Sequence, residues 1–286
     1  MDSHSLFRNR VAVLATMHRK ERVIAPLLER ELGIKVTVPQ FNTDQFGSFT
    51  REIKRSGSQI EAARLKVQKV LLLTGESLGI ASEGSFAPHP SFPYISCNRE
   101  VVIFLDRANN LEIIGEELST DTNFNHTKVS TVKQAFEFAE KVGFPEHGLT
   151  VMLDENPQSS DEIIKGITTE TGLIAAINHS LTKSLNGNVH LETDMRAMYN
   201  PTRMKNIEKA TYNLLEKIKS LCPKCLTPGF AITKRIPGLP CELCDTPTTL
   251  TNTAIYKCQN CGFVKEKLFP DNKQFADPSQ CMYCNP

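Results

Sequence analysis

Apolar and polar positions repeat with two alternating periods along this chain, and the alternation predicts its elements. Residues 10–16 (RVAVLAT) form a short apolar run suited to a buried strand. Val23, Ile24, Leu27, Leu28 and Leu32 then share one helical face, with Gly33 placed to end the helix. Pro26 inside that pattern either kinks the helix or marks its first turn. Residues 34–39 (IKVTVP) alternate as a second strand, so the chain opens as β-α-β, the signature of an α/β domain. After a loop at 41–58, residues 59–73 predict a helix with Ile60, Ala63, Val67 and Val70 inward.

The stretch 78–93 (LGIASEGSFAPHPSFP) enters as a buried strand and presents Glu83 between small residues, where a ligand can approach the backbone. It leaves through a loop stiffened by Pro88, Pro90 and Pro93 that carries His89. Residues 100–116 predict a β-hairpin turning at Asn109 and Asn110. Thr131 and Gln134 make a capping box for a helix through Val142. A strand is expected at 149–153, a helix at 171–184, and the last strand of the domain at 188–194 (NVHLETD). Asn200 and Pro201 then open a long helix to about Ser220, with Met204, Ile207, Thr211, Leu214 and Ile218 inward. The pattern predicts an α/β core on a mixed sheet over residues 1–221 and a small C-terminal module over 222–286.

Composition adds little to this picture except by exclusion. The apolar content of 40% and charged content of 23% are those of a globular protein. A net charge of +1 gives no long-range attraction to nucleic acid or an anionic membrane. No apolar run approaches a membrane span and no export signal precedes Val11, so a cytoplasmic, unanchored protein is expected.

Cysteine spacing changes the picture more. Eight of the nine cysteines fall in four Cys-x-x-Cys pairs: Cys222/Cys225, Cys241/Cys244, Cys258/Cys261 and Cys281/Cys284. One tight turn of this spacing presents two thiolates to a tetrahedral Zn²⁺, and two turns complete the site, so two zincs are expected. Full cysteine coordination leaves no open position, which makes these ions structural. Sequential and nested pairing of the four turns both remain open, with crossed pairing the least favoured. With eight thiolates and two Zn²⁺ the tail carries about −2, which disfavours nucleic acid and favours a protein partner or a homodimer contact. Cys97 stands alone and reads as a small buried residue.

Three groupings in the core carry candidate chemistry. Thr16, His18 and Lys20 lie where a strand hands over to a helix, a junction suited to phosphate. Arg51, Lys54, Arg55, Arg64, Lys66 and Lys69 face only Glu52 and Glu61, which suits a polyphosphate or, alternatively, a solvated helix face. Glu192 and Asp194 share one side of a strand by its period of two, near Arg196. With Glu83 they could hold Mg²⁺, or they are the exposed positions of an edge strand. His18 and His89 are the candidate histidines, while His179 and His190 read as structural.

The motifs ATMHRKE at 15–21, LGIASEGSFAPHP at 78–90 and LETDMRAMYNPTRM at 191–204, with the four cysteine pairs, resemble an uncharacterised bacterial family of unknown function. The order of strand, Thr-containing turn, helix, helix with Ala63 and Lys66, then strand with an acidic residue and glycine is similar to the inosine/xanthosine triphosphate pyrophosphatase superfamily. That resemblance implies that Thr16 and Lys20 meet phosphate, that Lys66 lies near it and that Glu83 is the metal-linked carboxylate. The chain departs from the pattern at His18, where that superfamily has Asn, in its lysine spacing, and in having a single acidic residue there. The expected activity is Mg²⁺-dependent nucleoside triphosphate pyrophosphohydrolysis. Glu83, Glu192, Asp194 and His18 would be the catalytic set, with Thr16, Lys20, Arg51, Arg55, Lys66, His89 and Arg196 on the substrate. The alternative is a non-catalytic nucleotide-binding or protein-docking module.

Overall fold

The computed structural model describes residues 6–43, 45, 47, 53 and 57–286. Strand β1 (Val11–Ala15) pairs in parallel with β2 (Lys35–Thr37) on one side and β3 (Leu78–Pro88) on the other. Strand β3 runs antiparallel to β4 (Ser96–Asp106), and β4 to β5 (Leu111–Ser119), giving the order β2-β1-β3-β4-β5. Helix α1 (Glu21–Leu32) crosses from β1 to β2, and α2 (Gln59–Thr74) leads into β3. Pro26 lies inside α1, beyond its first turn, and Gly33 ends the helix at a φ of 64°. The hairpin turns at the expected asparagines, with Asp106 paired to Leu111.

The period of two along β3 decides what each face meets. Leu78 and Ile80 join Val102, Phe104, α1 and helix α5 (Pro201–Lys219) in one core. Ala81 joins Val13, Ala15, Ile103 and α2 in another. Gly79 is small because a Cβ there would lie 2.6 Å from Val67 of α2. Strand β1 stops at Ala15, opposite Ala81, whereas β3 continues to Pro88. Ser82 and Glu83 therefore begin a stretch of β3 whose former β1 side is left open, which is where a crevice forms at the carboxyl end of a parallel pair.

Residues 126–193 build a second sheet with its own core. Strands β6 (His126–Val129), β7 (Leu149–Met152), β8 (Ile163–Ile167) and β9 (Val189–Thr193) assemble antiparallel in the order β6-β9-β7-β8. Helices α3 (Val132–Lys141) and α4 (Glu170–Lys183) cover one face through Val129, Leu149, Val151, Val189 and Leu191. This corrects the expectation of one mixed sheet before residue 221. Strands β6 and β8 (HTKV and IIKGI) are short and lack alternation, so periodicity does not reveal them. Strand β9 is internal, and Glu192 and Asp194 are buried, so they are not the exposed positions of an edge strand.

The cysteine tail is a three-stranded antiparallel meander of β10 (Ala231–Pro237), β11 (Thr251–Lys257) and β12 (Val264–Leu268). Among the described residues no helix is long and apolar enough to cross a membrane.

Candidate functional site

The crevice left by the early end of β1 is lined by Ala15, Thr16, Met17, His18, Lys20, Thr43, Gly47, Lys66, Ser82 and Glu83. Its enclosed part measures about 10 Å³, room for about one water-sized group. The turn from β1 supplies Thr16, whose hydroxyl is buried and has no hydrogen-bond partner among the described residues. Arg19 takes a φ of 59° to bring Lys20 to the start of α1, a 12-residue helix with no side-chain cap. The positive dipole end of that helix lies at the crevice, although its Arg22 and Val23 N–H groups already donate to the Arg19 and Lys20 carbonyls, each at 3.2 Å. Lys20 Nζ donates to the Ser82 carbonyl at 3.1 Å and to its hydroxyl at 3.0 Å.

Lys66 and Glu83 meet across the α2–β3 packing in a direct ion pair, both side chains buried. Gln59 steadies this stretch by donating from Nε2 to the carbonyls of Glu83 and Arg99, at 2.7 and 2.8 Å. Two buried lysines thus stand beside Glu83, the one carboxylate among the described residues that line the crevice. Burial pushes the Lys20 ammonium down to about 7. Arg203 adds to that shift, Glu100 and Glu83 oppose it, and Lys66 adds again. A half-charged lysine, a lysine held by one acid, an orphan hydroxyl and a helix N-terminus make a site short of negative charge and of acceptors. An anionic oxygen supplies both.

Behind the crevice a second buried network ties the two sheets together. Arg203 and Glu100 are fully buried and meet at 2.8 Å through Nε and Oε1. Asn98 also donates to Glu100 Oε1, and Arg203 donates from Nη1 to the carbonyl of Met195, just past β9. Asn206 donates to Asn98 Oδ1 and to the carbonyl of Asp121. Gly84 leaves room for this pair, since a Cβ there would lie 2.4 Å from both Arg203 Nη2 and Glu100 Oε1 and would displace them. The sequence reading did not identify this network. Its signal is a charged residue, Glu100, within the apolar alternation of β4, and polar positions at Asn200, Arg203 and Asn206 along one helix face.

The expected site residues fall into separate places. Thr16, His18, Lys20, Lys66 and Glu83 come together in the crevice. Glu192 lies on β9 with its carboxylate 3.2 Å from His190 Nε2, opposite His126 and Thr150 in register. Asp194 accepts from the Gly166 N–H at 3.0 Å and from the Arg196 guanidinium, whose Nη2 lies 2.6 Å from Oδ2. Arg196 also sits 4.6 Å over the Tyr199 ring. His89 follows β3, where its Nδ1 accepts from the Ser91 N–H, and it does not line the crevice. Arg51 and Arg55 lie outside the described residues. The Mg²⁺ expectation needs Glu83, Glu192 and Asp194 to converge. Among the described residues the convergent groups of three or more potential ligands are the two cysteine tetrads. With Glu83 on Lys66 and Asp194 on Arg196, these residues do not fit a protein-held Mg²⁺.

The tetrads themselves are Cys222, Cys225, Cys258 and Cys261, and Cys241, Cys244, Cys281 and Cys284. Neighbouring Sγ atoms lie 3.6–3.8 Å apart across the paired turns. A tetrahedron with Zn–S bonds of about 2.3 Å has edges of about 3.8 Å, so each group could hold one zinc ion. This is the crossed pairing, correcting the preference for sequential or nested sites. The meander dictates it. Antiparallel pairing brings the start of β10, the end of β11 and the start of β12 together, with Ala231 opposite Lys257 and Lys257 opposite Val264. The first and third turns therefore meet at that end and the second and fourth at the other. Cys97 is buried, as expected of a small core residue.

A mixed-sheet α/β protein with a buried cationic crevice and a tail built for two metal ions is the class this architecture defines. A family model described as Domain of unknown function (DUF6671) matches residues 66–286, and the chain belongs to that family. The match takes in Lys66, Glu83 and all eight paired cysteines, and begins beyond Thr16 and Lys20. No curated protein matches the chain.

Proposed function

We propose that the crevice binds a phosphate group of a nucleoside triphosphate and that the chain cleaves a phosphoanhydride bond there. One observation carries this reading: Lys20, Lys66 and the Thr16 hydroxyl, which has no partner among the described residues, converge, buried, beside the N-terminus of α1. In this reading a phosphate oxygen takes the Thr16 hydroxyl and the Lys20 ammonium near the positive end of α1, and the rest of the nucleotide lies outside the mouth. The phosphate competes for Lys66 and releases Glu83. Glu83 then accepts the proton of a water whose oxygen bonds to phosphorus as the bridging P–O bond breaks, and pyrophosphate leaves with the electron pair. The superfamily resemblance supports the substrate class, and the ITPase-like form of the five-stranded core belongs to the same proposal. We further propose residues 1–221 and 222–286 as the functional units.

A second reading, nucleotide binding without turnover, is favoured by Glu83 being the one carboxylate among the described residues that line the crevice. Pyrophosphate release and calorimetric binding over a nucleoside triphosphate panel, with and without added Mg²⁺, separate the two. The first reading expects turnover in wild type and a loss of at least 100-fold in Glu83→Gln with binding kept. Binding without turnover in wild type selects the second reading. A panel with no binding contradicts both.

A further inference from the structure

The two cysteine tetrads use the same turn but present different surfaces. The turns of the tetrad nearer the core carry Pro223 and Lys224, and Gln259 and Asn260, and Cys222 packs with Phe230 and Cys258 in a small core. The outer tetrad carries Leu243 on one turn and Met282 and Tyr283 on the other, 73%, 76% and 77% exposed. Phe275 is also exposed and precedes Ala276, which pairs with Cys241 and accepts from the Glu242 N–H. Three large apolar side chains thus project from turns whose sulfurs lie within 4.8 Å of one another, and Phe275 adds a fourth next to Ala276. Side chains fixed on such turns lose little freedom on being covered.

The rim of this tip is acidic. Glu242, Asp245 and Asp277 are exposed on and beside its turns, with Lys273 acting on Asp277, while Asp271 is held by Arg235. A zinc-loaded cysteine tetrad itself carries a charge of about −2. A second copy would set these carboxylates and the tetrad charge against their own equivalents, and an acidic or neutral partner would leave them uncompensated. A segment with an apolar stripe flanked by Lys and Arg satisfies the stripe and the rim at once. We infer that the tip formed by Leu243, Phe275, Met282 and Tyr283 docks a basic, amphipathic segment of a partner protein.

The test uses the full zinc-loaded chain and a labelled synthetic helical peptide with a leucine stripe and lysine flanks, read by fluorescence anisotropy. Saturable binding is expected, at least tenfold weaker in the triple variant Leu243→Ser, Met282→Ser, Tyr283→Ser and weakened several-fold by Glu242→Gln with Asp245→Asn. Two zincs per chain in each variant show that the tetrads remain formed. Equal binding of a peptide with glutamates in place of lysines would overturn the inference, as would binding indifferent to the triple variant. A dimer by light scattering that the triple variant abolishes would overturn it in favour of a second copy.

Discussion

Two buried polar sites lie side by side in this protein, and one is finished while the other is not. In the network behind the crevice every charged group has its counterpart: Arg203 holds Glu100 and the Met195 carbonyl, Asn98 completes Glu100, and an unpartnered Asn206 Oδ1 is the gap. In the crevice two lysines stand beside one carboxylate, a hydroxyl has no partner among the described residues, and burial brings Lys20 down to about 7. Both are buried, so burial alone does not separate them. Satisfaction does. A network that closes on itself organises the fold, and a network left open with an excess of one sign of charge is where a ligand is to be sought. The cysteine tetrads belong with the open kind, since four converging thiols are complete only around a cation.

The comparison can be broken where it predicts most. Glu100→Ala strands a fully buried guanidinium that cannot shed its proton, so a loss of about 3–5 kcal/mol is expected in urea unfolding. A loss below about 1 kcal/mol would show that the network is not a structural one. On the open side, Cys222→Ser with Cys258→Ser should remove one of two zincs by metal analysis, because both residues serve one site. Loss of both ions would contradict the crossed pairing. Glu83→Gln leaves Lys66 without its acid, but a lysine can lose its charge, so a cost of only about 1–2 kcal/mol is expected.

The smallest effect is a pH dependence with a defined sign. Lys20 titrates near 7 in the folded chain against 10.5 as its ordinary value, so between those values the unfolded chain binds the extra proton. The Lys20 contribution to stability therefore rises with pH from about 7 to 10.5 and is at its least favourable below 7. Sulfate, which does not titrate in this range, should bind more tightly at pH 6 than at pH 8, by up to about tenfold. Calorimetry at the two values checks it, and affinity independent of pH would remove Lys20 from the site.

Much of the five-stranded sheet was legible because its strands carry long apolar runs and its helices carry stripes ended by Gly33 and Gly75. The second sheet was not, because β6 and β8 are four and five residues long and mix polar with apolar positions. Of the site, the junction residues Thr16 and Lys20 and the pair Lys66 and Glu83 could be named from motif and position. Partnership could not be read: Glu192 and Asp194 sit two apart on a chain that gives no sign of their going to His190 and Arg196. The candidate metal ligands were plain from spacing, whereas their pairing depends on strand direction in a meander whose register only the fold supplies.

Lys20→Met tests the central claim most directly, by urea unfolding at pH 6 beside nucleoside triphosphate binding by calorimetry. An open ligand site predicts opposite movements. Removing a desolvated charge should stabilise the chain by on the order of 1–2 kcal/mol, with binding lost at least tenfold. A destabilised variant that still binds nucleotide would contradict the claim and place Lys20 among the residues that hold the fold.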